Sequence, residues 1–327
     1  MRVLFIWLVA AGTLFAQQNV STFSIVGYDP VNKDWGVAVA SRYFSVGSVV
    51  PWAEAGVGAV ATQANVNVGY GPRGIELLRQ GLSAKAVLER LQAEDSFDGK
   101  DGRQIAIVDR NGTIAAYTGP KAPNWAGDKQ GEHWSAQGNI LVGSQVVEAI
   151  GKAFESTQGE LAEKLFAALK AGDDAGGDSR GKQSASMLVV RKGGGRNTNN
   201  DRYVYINVDD NPQPIPELRR LLDMNLSLLY QEKRGRLVRS GKLVEARDAA
   251  ETVVKYGPSQ PEALASLGVL NYATGNKAAA LRELRRARVL DPELRKRLEA
   301  MAKARPEYAP VMADSQFLSE LFPEGPK

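Results

Sequence analysis

The chain has no cysteine and a single histidine, His133, among 327 residues. Without cysteine there are no disulfides, thiolate metal centres, lipidated cysteine anchors or cysteine nucleophiles. With one histidine the usual Ser-His-Asp and zinc-histidine constellations fall away, and His133 reads as structural. Long apolar runs are equally scarce. Residues 3–15 form the one extended uncharged apolar stretch, preceded by Arg2 and followed by the small residue Ala16. That layout predicts a signal peptide over residues 1–16 and an exported protein, periplasmic or extracellular. The run stops short of the roughly 20 residues a transmembrane anchor needs, so no stable membrane anchor is expected.

The charge is divided unevenly. From residue 215 to the end there are 20 Lys and Arg against 15 Asp and Glu, and the remainder carries 21 against 22. The basic surplus therefore belongs to the C-terminal part. Its charges of both signs alternate along helical sequence, which reads as a solvated helix surface and not as a nucleic-acid stripe.

Strand-like runs cover residues 22–28, 35–41, 57–63, 104–109, 113–117, 186–191 and 203–208, and helical periodicity covers 71–80, 84–93, 144–154 and 161–169. The segment 29–34 closes an opening hairpin, and Asn111-Gly112 predicts a tight primed turn between a second pair. Strands group in hairpins and helices in pairs, which favours antiparallel sheets covered by helices over a parallel doubly wound sheet. The Pro-rich segment 211–216 reads as a linker or an ordered crossing segment between a first domain, 22–210, and a helical domain, 217–327. In the latter, Gly241 and Gly275, Ala246 and Ala280, and Pro258 and Pro292 recur at a spacing of 34 residues. The spacing resembles the tetratricopeptide repeat, and such helices are candidates to hold a protein partner.

Few motifs carry chemistry by themselves. Gly193-Gly194-Gly195 is not followed by the Gly-Lys-Ser/Thr of a phosphate-binding loop and reads as a hairpin loop. Asp173, Asp174 and Asp178 lie in a turn-rich loop, the default over a hard-cation site. No cofactor or metal is expected. What remains is a hydroxyl nucleophile without a histidine base. A threonine that becomes the mature N-terminus answers that need, because its own α-amine, with an ordinary pKa of about 7.7 to 8.0, accepts the hydroxyl proton.

The blocks Thr22-Phe23-Ser24-Ile25-Val26, Gly36-Val37-Ala38-Val39-Ala40-Ser41-Arg42, Val49-Val50-Pro51-Trp52-Ala53 and Gly56-Val57-Gly58-Ala59-Val60-Ala61-Thr62-Gln63 are joined by Tyr70-Gly71-Pro72-Arg73-Gly74, Gln137-Gly138-Asn139 and residues 176–184. In this ordered set the chain resembles the family catalogued as domain of unknown function 1028, placed with the N-terminal-nucleophile (Ntn) hydrolases. The resemblance implies a four-layer αββα sandwich of antiparallel sheets and an amide-hydrolase site at the start of the first strand. The implied nucleophile is Thr22.

Chemistry suggests the remaining roles. Ser41 and Arg42 end the second strand of the hairpin and should lie beside Thr22, and Asn139 with the backbone of Gly138 could donate to an oxyanion. Gln63, Asp178 and Arg180 are candidates for substrate binding. The substrate class is a small amide, ureido or peptide-like bond. The alternative is a non-catalytic envelope protein that keeps the fold for ligand or protein binding; homo-oligomers fit either reading. Signal cleavage after Ala16 would leave residues 17–21 as a propeptide ahead of Thr22, so trimming or autoproteolysis is required to free the amine.

Overall fold

A computed structural model describes residues 22–323. The expected signal peptide and propeptide, and residues 324–327, lie outside the described residues. The strands are β1 (Thr22–Asp29), β2 (Asp34–Ser41), β3 (Pro51–Glu54), β4 (Gly58–Ala64), β5 (Arg103–Asp109), β6 (Ile114–Thr118), β7 (Gly127–Gly131), β8 (Trp134–Asn139), β9 (Ser184–Arg191) and β10 (Arg202–Val208). The helices are α1 (Tyr70–Arg79), α2 (Ala84–Glu94), α3 (Gln145–Ser156), α4 (Leu161–Asp174), α5 (Pro214–Arg239), α6 (Leu243–Tyr256), α7 (Pro261–Ala273), α8 (Lys277–Leu290), α9 (Leu294–Ala304), α10 (Ala309–Ala313) and α11 (Ser315–Leu321).

Two antiparallel sheets form the core, with strand orders β10-β9-β2-β1-β8-β7 and β3-β4-β5-β6. Strands β1 and β2 are buried along their whole length, so alternate side chains serve two different cores. Phe23, Ile25, Ala38 and Ala40 point to one face and pack with Ile150, Leu165 and Leu169 of α3 and α4. Val26, Tyr28, Val37 and Val39 point to the other and meet Ala59, Ala61, Ala106 and Val108 of the second sheet. That sheet turns Val60, Ile105 and Ile107 outward onto Ile75, Leu78, Val87 and Leu91 of α1 and α2. Three apolar clusters thus separate four layers, and the chain is an α+β sandwich followed by the helices α5 to α11.

The opening hairpin closes on Asp29, whose carboxylate accepts from the Val31 and Asn32 N–H groups at 2.8 and 3.3 Å. The β5–β6 connection departs from the predicted primed turn. Gly112 has φ +79° but Asn111 is not in the left-handed region, and a two-residue type I′ turn needs both there. The Asp109 carboxylate instead accepts from the N–H groups of Asn111 and Thr113, which stabilises a longer loop. Strands β3, β7 and β8 carry no strong strand signal in the sequence. In β8 the reason is composition: Ser, Gln, Gly and Asn are poor strand formers, and the strand exists because β1 and β7 pair with it on both sides.

Helix α5 begins at Pro214, so the second half of the segment read as a linker is the first turn of a helix. Proline is well placed there, since the first helical N–H groups have no intrahelical acceptor. Leu218, Leu222, Leu226 and Leu229, spaced for one helix face, are buried in the same core as Val204, Ile206 and Val208. At about 2 kcal/mol for each buried leucine, this face ties the helical region to the sandwich. Beyond it, Gly268 permits close approach of α7 and α8: a Cβ there would lie 2.6 Å from Leu284 Cγ. Gly241 and Gly275, at φ +72° and +86°, end α5 and α7, which gives the 34-residue spacing a structural meaning at those two positions.

Leu222→Ala should destabilise the whole chain by about 2 to 5 kcal/mol in urea unfolding, although it lies in the helical region. A fragment starting at residue 215 exposes that leucine face and is expected to show no cooperative transition by circular dichroism.

Candidate functional site

The layer between the sheets changes character along the strands. Val26, Tyr28, Val37 and Val39 fill one end, and at the other the same faces of β1 and β2 present Thr22, Ser24 and Ser41. Register aligns a row across the first sheet: Ser184 opposite Ser41, Ser41 opposite Thr22, and Thr22 opposite Asn139. All four are essentially inaccessible to solvent. The Thr22 and Ser41 hydroxyls lie 3.1 Å apart.

The second sheet answers with amides. Gln63 Nε2 donates to the Thr22 carbonyl at 3.3 Å and to Gln104 Oε1 at 2.7 Å, while Ser24 donates to Gln63 Oε1 at 2.6 Å. Asn139 Nδ2 donates to the same Gln104 oxygen at 3.1 Å. Gln104 Nε2 in turn donates to the Gly138 and Gly127 carbonyls and to the Thr118 hydroxyl at 2.9, 3.2 and 3.0 Å. Gln137 extends the chain to Ser24 at 2.6 Å and accepts from Ser135. Burying these polar groups is tolerable because Ser24, Gln63, Gln104 and Gln137 bond to one another or to neighbouring backbone; the network rigidifies the Thr22 end of the sandwich.

A second cluster lies where β2 leaves the sheet. The buried Asp178 carboxylate accepts from the Arg42 backbone N–H at 2.7 Å and from Arg180 Nε and Nη2 at 3.2 and 3.1 Å. Arg42 is exposed, and its Nη1 donates to the Arg180 carbonyl at 2.6 Å. The loop can turn back on β2 because Gly176, Gly177 and Gly181 take φ of +112°, +52° and +113°, values that side chains with a Cβ rarely adopt. One carboxylate against two guanidiniums leaves a cationic rim beside Ser41.

The structure therefore brings Thr22, Ser41, Asn139 and Gln63 together in the polar seam, and Arg42, Asp178 and Arg180 together at its rim. Arg42 bonds to the rim loop, not to Thr22. Gly138 pairs with Phe23 on one side and Gly127 on the other, which commits its backbone to the sheet. Gln63 bonds inward, as a brace for the Thr22 carbonyl. Asp173 and Asp174 form ion pairs with Lys182 and Lys170 at 2.7 and 2.5 Å. His133 lies at the opposite end, its ring against Tyr28 and Nδ1 3.1 Å from the Gly112 carbonyl. Sequence reasoning missed Gln104, the hub of the network, along with Ser24 and Gln137. For Ser24 and Gln104 the signal was parity: each is polar at a position whose neighbour two residues on, Val26 or Ala106, faces a core.

The model for a family of unknown function, DUF1028, matches residues 22–218. The chain belongs to this family. The DUF1028 match starts at Thr22, the first residue of β1, and ends at Leu218 in the second turn of α5, so most of the helical region lies beyond it. A crystal structure of a DUF1028 protein from Silicibacter pomeroyi is 30% identical to the chain, with a TM-score of 0.57, over 62% of this chain and 85% of that one. No curated protein matches.

Gln104→Leu removes a donor and an acceptor, leaving Asn139 Nδ2 and the Gly138 carbonyl without this partner in a dry layer. At about 1 to 3 kcal/mol for each orphaned group, a loss of about 3 kcal/mol or more is expected in chemical unfolding, with m unchanged.

Proposed function

We propose that this DUF1028 protein is an exported Ntn-type amidohydrolase that cleaves a small amide, ureido or peptide-like bond through an acyl-enzyme on Thr22. The observation that carries this reading is the placement of Thr22 itself. It is the first residue of the central strand, it is where the family match begins, and its hydroxyl lies 3.1 Å from that of Ser41 in a braced polar seam. A hydroxyl nucleophile needs a base within hydrogen-bond reach, and once Thr22 is N-terminal its neutral α-amine is that base.

In the reaction, Thr22 Oγ1 attacks the substrate carbonyl and its proton passes to the α-amine. The tetrahedral intermediate collapses as the leaving nitrogen takes that proton, and the ester on Thr22 is then hydrolysed by water with the amine again acting as base. Ser41 positions the hydroxyl, and Asn139 is the candidate oxyanion donor after exchanging its bond to Gln104 for one to substrate. The cationic rim of Arg42 and Arg180, held by Asp178, favours substrates with a carboxylate near the scissile bond. Exposure of the amine requires loss of residues 1–21, by trimming or by Thr22 attacking the Ser21 carbonyl in an autoproteolytic step. The C-terminal helices, read as tetratricopeptide-like, would hold a protein partner.

A second reading, a non-catalytic ligand-binding protein, is favoured by the complete burial of Thr22 and by the internal bonding of Gln63, Gln104 and Asn139. Mass spectrometry of the exported protein separates the two. The hydrolase reading expects a chain beginning at Thr22, and a screen of amide and ureido substrates whose turnover falls at least ~10³-fold in Thr22→Ala, in line with loss of a nucleophile. A mature chain that retains residues ahead of Thr22, or activity unchanged in that variant, would favour the binding reading.

A further inference from the structure

The second half of α5 and the segment around Pro306 enclose a cleft of about 700 Å³, in the size range of small-molecule sites. Arg234, Arg236, Arg239 and Arg305 line it, with Glu232 and Glu307. Ion pairing distinguishes these arginines from the others of the helical region. Arg219, Arg220, Arg247, Arg282, Arg286, Arg295 and Arg297 each have a carboxylate partner. Arg285 and Arg288 donate to the Glu320 and Leu321 carbonyls, near the end of α11. The four that remain all face this one cleft, and none of them has an ion-pair partner among the described residues.

Arg234 is the most telling of the four. Its guanidinium is half-buried between α5 and α7, with Nη1 donating to Ser266 Oγ at 2.6 Å. Burial, and then the repulsion of Arg305, hold its pKa below the ordinary arginine value, while Glu307 attracts from a distance. Glu232 is already engaged by Arg196 at 3.2 Å and by the Asn197 N–H at 2.8 Å, so Glu307 is the one lining carboxylate that forms no ion pair. A desolvated charge without a partner is costly. The guanidinium fork matches carboxylate and phosphate oxygens two at a time, which makes an oxyanion the missing partner.

We propose that this cleft binds a small multivalent oxyanion, a phosphate- or carboxylate-bearing molecule, through the guanidiniums of Arg234, Arg236, Arg239 and Arg305. The neighbouring Gly193-Gly194-Gly195 loop takes no part, because its N–H groups are engaged by Asp201, Arg191 and Asn200. The site is separate from the one at Thr22. Strand β9 starts beside Ser41 at Ser184 and ends at Arg191 near the cleft, a length on the order of 25 Å at about 3.4 Å per residue.

Titration calorimetry of the full chain at low salt, with inorganic pyrophosphate and with citrate in separate arms, tests the site. At least one of them should bind with a Kd below about 1 mM. Stronger pyrophosphate binding assigns a phosphate ligand, and stronger citrate binding a carboxylate. Arg305→Gln, at an exposed position where folding is not at stake, should weaken binding at least tenfold. Arg234→Met should do the same while the melting temperature stays level or rises, because the variant removes an unpaired charge. Failure of both anions to bind below about 10 mM, or equal binding in both variants and wild type, would overturn the proposal. A lower melting temperature for Arg234→Met with binding intact would make Arg234 a structural strut and also count against it.

Discussion

The amide network centred on Gln104 is the constraint on which the candidate site depends. Two sheets packed face to face normally share an apolar layer, and here half of that layer is polar and dry. Such a layer is stable when its donors and acceptors find mates within it, and that requirement dictates register. A slip of one residue in β1 would turn Phe23 into the seam and Thr22 and Ser24 out toward α3 and α4. The hydrogen bonds of Gln63 and Gln104 therefore add to the sheet ladder in holding Thr22 between Ser41 and Asn139.

In the proposed reaction this rigidity would have a chemical use. A nucleophile that serves as its own base needs a fixed hydroxyl and a strand end that does not fray, and a free N-terminus is ordinarily the most mobile part of a chain. Placing Thr22 at the start of the central strand, flanked by β2 and β8 and braced from the second sheet, overcomes that tendency. The rim works differently. Arg42, Asp178 and Arg180 are joined by a glycine-dependent loop at the surface, where charge reaches solvent. Braced interior and charged rim meet at consecutive residues, Ser41 and Arg42.

Helix α5 links this sandwich to the rest of the molecule by continuing through both. Its first half supplies leucines to the core under the six-stranded sheet, and its second half supplies three of the four arginines of the cationic cleft. The basic surplus of the C-terminal part thus has two destinations: most arginines pair with carboxylates on solvated helix faces, and a minority converge without partners. Only the second arrangement has the chemistry of a site.

The alternation of residues along the opening hairpin and the 3.6-residue periodicity of the helices were enough to favour antiparallel sheets covered by helices, the four-layer sandwich coming from the family resemblance, and to set Ser41 beside Thr22, because a two-strand hairpin fixes its own register. These are local relations, and local sequence encodes them. Strand β8, the Gln104 hub, the inward bonding of Gln63 and the seat of α5 in the core were decided by tertiary structure. Each depends on groups far apart in the chain: Gln104 bonds residues 34 and 35 positions away, and Gln137 reaches Ser24 across 113. Parity tells which face of the strand Gln104 shares with Ala106 but not which groups it meets there, and a proline-rich segment carries no mark of whether it is a linker or a helix's first turn. What decides both is which surfaces the rest of the chain brings against them.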